Sequence, residues 1–385
     1  MNILVITDLY PAYPGQRANE ISYAIHHFAR QWIKTETVVV VRPNLFSGYL
    51  GQRQRLRQDE FELEGVRVIN CRVPKVPRLR VFRLRGLLHT IERAIQPDVV
   101  VAHLGFNLLI GQKVATYFQK PLIAGVHNGD FRFGFRMLSE PVLQEIFRQS
   151  AGIACRSYPL RNRLLRWTPG LAEKCRVTYS GIEEKHLMAK EPALEKTREW
   201  VESKRVLFCS ACSLIPLKNI GINLVALSRL STEIDWQYRI YGEGREGPKL
   251  KRLADRLIIS GRVRFMGEQP RDQVIAALGQ THVFLMVSAN ESFGLAYLEA
   301  MAAGNIVIAA TGTGVDGIIR HEHNGMLCRP GDAEQLLAVL NKLILEMETD
   351  DIRDLLQNSL TTVRDLTEKK AARNYLDHIV RSIRQ

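Results

Sequence analysis

The chain has 385 residues, more than one hydrophobic core ordinarily organises, so two domains are expected, each large enough to bury a core of its own. Hydrophobic residues make up 46% and charged residues 24%, which excludes a disordered or fibrous protein. A formal net charge of +13 points to an anionic partner, and the six scattered cysteines read as reduced core thiols, since a chain of this size does not need disulfide staples.

The first apolar run, 2–7, enters a turn without the basic flank and longer apolar stretch of a signal peptide. No segment reaches the roughly 18 to 20 apolar residues that cross a bilayer, so a cytoplasmic protein, peripheral at the inner membrane face, is expected. Further runs at 37–41, 98–102 and 121–126, then at 205–210, 237–241, 263–266, 283–287 and 306–310, each lead through a turn into a helical pattern. Strands alternating with helices predict parallel sheets with crossover helices, an α/β fold. Two sets in sequence predict domains at 1–182 and 183–365 with a hinge near 181–190. The stretch from about Thr361 to Gln385 reads as helix, and its last part, 366–385, is expected to return to the first domain.

The turn after the first strand, Tyr10 to Glu20, contains Gly15 and Arg17 and is expected to rim a cleft. Between Arg42 and Arg93 twelve Lys or Arg residues face five Asp or Glu, concentrated at Arg53, Arg55, Arg57, Lys75, Arg78, Arg80, Arg83 and Arg85. Interleaved with Leu56, Val76, Leu79, Val81, Phe82 and Leu84, they predict a surface at 53–85 that lies on anionic lipid. Phe82 is the only aromatic among the basic residues of 75–85, too few for base stacking, and no nucleic-acid-binding motif occurs, so no nucleic acid partner is expected.

Val126-His127-Asn128-Gly129-Asp130 follows an apolar run, and His103 follows another. A histidine beside a strand is ordinarily structural, and that reading is kept for His103. Cys209 and Cys212 form a CxxC without a second ligand pair, which reads as thiols along a buried strand. The sharpest signal is Glu291-Ser292-Phe293-Gly294-Leu295, running on to Glu299 and placed between the strands 283–287 and 306–310. A strand–loop–helix unit aims helix N–H groups at the crevice where α/β sheets bind phosphates. Glu299, expected about two turns into that helix, lies in an apolar run where a carboxylate is expensive unless partnered.

Together these segments resemble the retaining GT-B glycosyltransferases of family four, the glycosyl transferases group 1. The likeness rests on two glutamates separated by seven residues, Glu291 and Glu299, on Glu299-Ala300-Met301-Ala302-Ala303-Gly304, on Thr311-Gly312-Thr313-Gly314, and on Asn324-Gly325-Met326-Leu327-Cys328-Arg329-Pro330-Gly331-Asp332. It extends through Gln96-Pro97-Asp98, Ser180-Gly181-Ile182 and Tyr241-Gly242-Glu243-Gly244. The resemblance implies two Rossmann-like domains facing across a cleft. A UDP-, GDP- or similar nucleotide-sugar donor would bind the second, and a lipid-linked or polysaccharide acceptor mainly the first.

By that resemblance Glu299 holds the ribose, Glu291 the hydroxyls of the transferred sugar, and the amides of Phe293, Gly294 and Leu295 the sugar and phosphate. Lys218 stands by the diphosphate, and Ser213, Gly242 and Gly15 line the donor. His127 is implied as catalytic, with Asp130 and Arg17 on the acceptor side. Transfer is expected to retain configuration, with acceptor attack on the face from which the diphosphate leaves, and to need no metal or cofactor. The pathway implied is bacterial surface polysaccharide synthesis: O-antigen, capsule or exopolysaccharide.

Three departures stand out. Ser213 replaces the family's arginine, Gly15 stands where adjacent glycines are usual, and Thr313-Gly314-Val315-Asp316-Gly317 lacks its acid at the usual place. The loss of a bidentate cation leaves open a silent sugar-nucleotide binder. An epimerase or a phosphorylase on the same fold is the other alternative.

Overall fold

The computed structural model describes residues 1–16, 23–46, 59–76, 81–82, 84–131 and 138–384. The chain divides into two compact units, Met1–Ser180 with Glu368–Gln385, and Gly181–Thr367. It crosses between them twice, first at 180–181, at the near edge of the segment expected to hinge, and again at 367–368.

In the first unit β1 (Asn2–Ile6), β2 (Thr37–Phe46), β3 (Glu60–Leu63), β4 (Val66–Val76), β5 (Val81–Phe82), β6 (Val99–His103), β7 (Leu122–Val126), β8 (Gly152–Cys155) and β9 (Cys175–Val177) form a sheet. Its order is β3-β4-β2-β1-β6-β7-β8-β9, with β5 on β4. Only β3 and β5 run antiparallel to their neighbour among the described strands.

Both faces of the sheet are covered, which is why its strands read as unbroken apolar runs. Leu4 and Ile6 of β1 enter one core cluster, and Ile3 and Val5 enter the cluster on the other face. Helices Ala24–Trp32 and Glu368–Arg384 close that second face. Trp32 Nε1 donates to the Ala372 carbonyl at 2.9 Å, and the Tyr375 ring meets Phe28 and Trp32 edge-on with centroids 5.2 Å apart.

Two local expectations are corrected. The helix read from Thr361 to Gln385 is two helices, Thr349–Arg364 and Glu368–Arg384. Between them Leu366 accepts a hydrogen bond from Ile182 N–H at 3.0 Å and Thr367 bridges Ile182, so backbone pairing replaces the helical ladder there. The basic segment also contains more than a surface strip. β4 places Val68, Ile69, Cys71 and Val73 in the core, and Leu84 packs against it. Arg53, Arg55, Arg57, Arg78, Arg80 and Arg83 lie outside the described residues.

The second unit holds β10 (Arg205–Ala211), β11 (Asp235–Tyr241), β12 (Val263–Gly267), β13 (Val283–Met286), β14 (Ile306–Ala310) and β15 (Met326–Cys328), all parallel, in the order β12-β11-β10-β13-β14-β15. Strand order reverses between β10 and β13, and in the first unit between β1 and β6. In doubly wound sheets ligands bind outside the carboxyl ends of the strands at such a reversal.

All six cysteines are free. Cys209 lies buried in β10, whereas Cys212 sits just past the strand and is half-buried, so the two do not share one strand. No helix among the described residues is long and apolar enough to cross a membrane.

Candidate active site

In the second unit the loops leaving β10 and β13 are stitched together by one backbone and one side-chain hydrogen bond. Ala289 N–H donates to the Leu217 carbonyl, and Asn219 Nδ2 to the Val287 carbonyl, both at 2.8 Å. Pro216–Lys218 forms a short 3-10 turn ended by Asn219 in the left-handed region. That turn swings Lys218 Nζ to 2.5 Å from Glu291 Oε2, with both side chains mostly shielded. The pair therefore stands at the strand-order reversal.

Three residues beyond Glu291, Gly294 adopts φ +87° and starts the helix Leu295–Ala302. A Cβ there would come within 2.5 Å of the Tyr297 ring and 3.0 Å of Glu291 Cγ, so only glycine permits this entry. No side chain caps the helix and no acid occupies its first turn. Its N-terminal N–H groups and dipole thus form a positive end beside the Lys218–Glu291 pair.

Neighbouring loops press close around this point. A Cβ on Gly242 would meet the Cys212 carbonyl at 2.1 Å, and one on Gly314 would meet the Phe293 backbone at 2.5 Å. Ser213 is exposed, two residues past the end of β10. Asp316 accepts from Gly312 N–H at 2.5 Å and so closes the 312–316 turn itself. Asn324 is a stitch: it accepts from Arg320 N–H at 2.7 Å and donates to the Ile318 carbonyl at 3.0 Å and to Thr362 Oγ1 at 2.9 Å.

Glu299 lies little more than one turn into the helix, because the helix begins only at Leu295. Its buried carboxylate has the partner that burial demands: Arg271 Nε donates to Glu299 Oε1 at 2.8 Å, while Arg271 Nη1 stands 3.6 Å from Glu183 Oε1. Sequence reasoning missed Arg271. The need for a cation was legible in the apolar run around Glu299, but a lone arginine opening the helix Arg271–Leu278 carries no motif.

In the first unit His127 follows β7. Asp130, buried, accepts from His127 N–H at 2.8 Å and from Gly105 N–H at 2.7 Å, which makes it a clamp on the turns after β6 and β7. Burial pushes the Asp130 carboxyl up to about 7, against those two hydrogen bonds. The His127 ring, half-buried, has Nε2 3.1 Å from His103 Nδ1. Burial, then the nearby Arg156 guanidinium, lowers His127 to about 3, so it is neutral at physiological pH. Gly15, at φ +79°, lies in the turn after β1 with open space where a Cβ would stand. Arg17 lies outside the described residues. Among the described residues no group of three or more His, Cys, Asp or Glu side chains is placed to hold a metal ion.

Two family models match the chain. Residues 194–355 match Glycosyl transferases group 1, and residues 21–186 match Glycosyltransferase Family 4. The chain is 25% identical to the N-acetyl-alpha-D-glucosaminyl L-malate synthase of Bacillus anthracis over 63% of each chain. It is also 25% identical to a lipopolysaccharide core biosynthesis glycosyltransferase of Rhizobium meliloti, over 57% of this chain and 61% of that one. The chain thus spans less than two thirds of the length of these curated relatives. In three dimensions it resembles Anabaena HepE, crystallised with UDP and glucose, with a TM-score of 0.72 at 18% identity over 99% of this chain and 100% of that one.

Proposed function

Because the chain belongs to the group 1 glycosyltransferases and has the GT-B fold, we propose that it transfers a hexose from a nucleoside-diphosphate sugar, with retention, to a lipid-linked or polysaccharide acceptor in surface polysaccharide synthesis. One observation carries the reading: the Lys218–Glu291 pair stands at the strand-order reversal beside an uncapped helix N-terminus, with Glu299 held ready by Arg271.

A diphosphate entering that crevice meets a helix N-terminus and an ammonium group. It also offers Lys218 more negative charge than Glu291 does, so the lysine turns to the phosphate and the glutamate to the sugar hydroxyls. As the glycosidic bond to the diphosphate breaks, Lys218 and the Phe293–Leu295 amides stabilise the departing charge, and the leaving phosphate accepts the acceptor's proton. Lys218 thereby covers for Ser213, which stands where the family has arginine. The charge being met by lysine and amides, no divalent metal is required. Glu299 receives the ribose hydroxyls.

A polyprenyl-diphosphate or lipopolysaccharide acceptor suits a peripheral position at the inner membrane face through the basic segment 53–85. Changing Arg78, Arg80 and Arg83 together to Glu should release the protein from anionic liposomes, and persistent binding would place the membrane contact elsewhere.

The deciding experiment is thermal-shift and calorimetric screening against UDP-, GDP-, ADP- and dTDP-sugars in the presence of a chelator, since a ligand that binds only the folded state raises the melting temperature. One clear winner supports the donor site and names the base. No binding to any of them overturns the reading, and binding that needs added magnesium overturns metal independence. Turnover of the donor alone, or with inorganic phosphate, would identify an epimerase or a phosphorylase instead.

A further inference from the structure

The final helix of the first unit carries a tyrosine to the far side of His103. Tyr375 Oη lies 3.1 Å from His103 Nε2, and His103 Nδ1 lies 3.1 Å from His127 Nε2. The rings meet edge to face, with centroids 6.0 and 5.3 Å apart. Gly125, paired with His103 across β6 and β7, makes the contact possible: a Cβ there would fall 1.9 Å from His103 Nδ1. Tyr375 and His103 are fully buried.

Burial holds both imidazoles well below the usual histidine range, and Arg156 adds to the effect on each, so each ring carries a single N–H. A chain of hydrogen bonds through two neutral rings runs in one direction only. If His127 Nε2–H donated inward to His103, the phenol would become the terminal acceptor and its own proton would be buried without a partner. Among the described residues His103 Nε2 is the hydrogen-bond partner of Tyr375 Oη. A buried donor left unsatisfied costs more than an ordinary hydrogen bond contributes. In the opposite direction Tyr375 O–H donates to His103 Nε2, His103 Nδ1–H donates to His127 Nε2, and every buried proton has an acceptor.

We infer that Tyr375, acting through His103, is a positioning residue that fixes His127 in the tautomer bearing its proton on Nδ1, so that His127 presents a hydrogen-bond donor to its ligand and not a basic lone pair. The consequence for the sugar donor or acceptor rests on the glycosyltransferase reading above, but the tautomer does not. The tautomer of a histidine is set by the bond its other nitrogen makes, and here that bond is anchored 272 residues downstream of His103.

The test is long-range proton–nitrogen NMR correlation on the full-length protein labelled with ¹⁵N-histidine, without ligand. The expected spectrum shows His103 and His127 protonated at Nδ1 and bare at Nε2. Tyr375→Phe keeps the ring packing but leaves His103 Nε2 without this partner in either direction, so signals of the opposite tautomer should join this pattern in both rings. His127 protonated at Nε2 in the unsubstituted protein would overturn the inference without any variant being needed, and so would an unchanged spectrum in Tyr375→Phe. Failure of every nucleotide sugar to bind would end the glycosyltransferase reading and leave this result standing. With a donor that turns over, Tyr375→Phe should lower kcat by about tenfold at an unchanged donor KM, and a loss confined to KM would count against the positioning role.

Discussion

Lys218 Nζ and Glu291 Oε2 lie 2.5 Å apart although they stand 73 positions apart in the chain. Each is the other's counter-charge, and in the mechanism proposed above each takes a separate task, Lys218 at the diphosphate and Glu291 at the sugar hydroxyls.

Lys218→Met should therefore lower kcat/KM by roughly 10²- to 10³-fold, the usual consequence of deleting one charge-stabilising donor. The double variant Lys218→Met with Glu291→Gln should lose less than the product of the two single losses, because the residues are in contact. Strictly multiplicative losses would show that the pair does not act together.

Glu299→Ala should weaken nucleotide-sugar binding by at least about tenfold, the worth of a hydrogen bond to a charged group. Unchanged affinity in calorimetry would remove Glu299 from the ribose. Arg271→Met strips the buried carboxylate of its partner and should lower stability by about 1–3 kcal/mol, read from denaturant unfolding.

His127→Ala should reduce transfer more than nucleotide binding, and equal losses would make His127 structural. Burial and Arg156 hold His127 at about 3. The pH–rate profile should therefore show no inflection near the ordinary histidine value, and one that vanished in His127→Ala would contradict this.

Asp130 gives a pH dependence of opposite sign to that of a paired surface carboxylate. Its folded value of about 7 lies above the ordinary aspartate value of 3.8, so between these values the folded chain retains a proton that the unfolded chain has released. Stability from this group is thus greatest at low pH, falls as pH rises through that window, and is level above it. Asp130→Asn should flatten the slope. The difference between the two stability curves should amount to a few kcal/mol, and parallel curves would refute the assignment.

Gly294→Ala should destabilise the second unit by more than about 1 kcal/mol, since the backbone is left-handed and the added methyl meets Tyr297. It should weaken donor binding as well. Full retention of both would mean that the helix entry is dispensable.

Much of this was legible in the chain. Val99–His103, Leu122–Val126 and Ile306–Ala310 are buried on both faces, so they read as unbroken apolar runs. Val66–Val76 was missed because Arg67, Arg72 and Lys75 alternate with Val66, Val68 and Val73, which hides a strand inside a basic stretch. The break at 365–367 was missed because its cause, backbone pairing with Ile182, lies far away in sequence.

Sequence alone determined the two-fold α/β repetition, the loop that carries Glu291 to Leu295, and the demand of Glu299 for a cation, because apolar periodicity, glycine and buried charge act over a few residues. Tertiary structure alone decided that Arg271 answers that demand, that Lys218 meets Glu291, and that Tyr375 reaches His127 through His103. Those encounters depend on strand order, register and the course of the last helix, which the packing of the whole unit sets and no local pattern encodes.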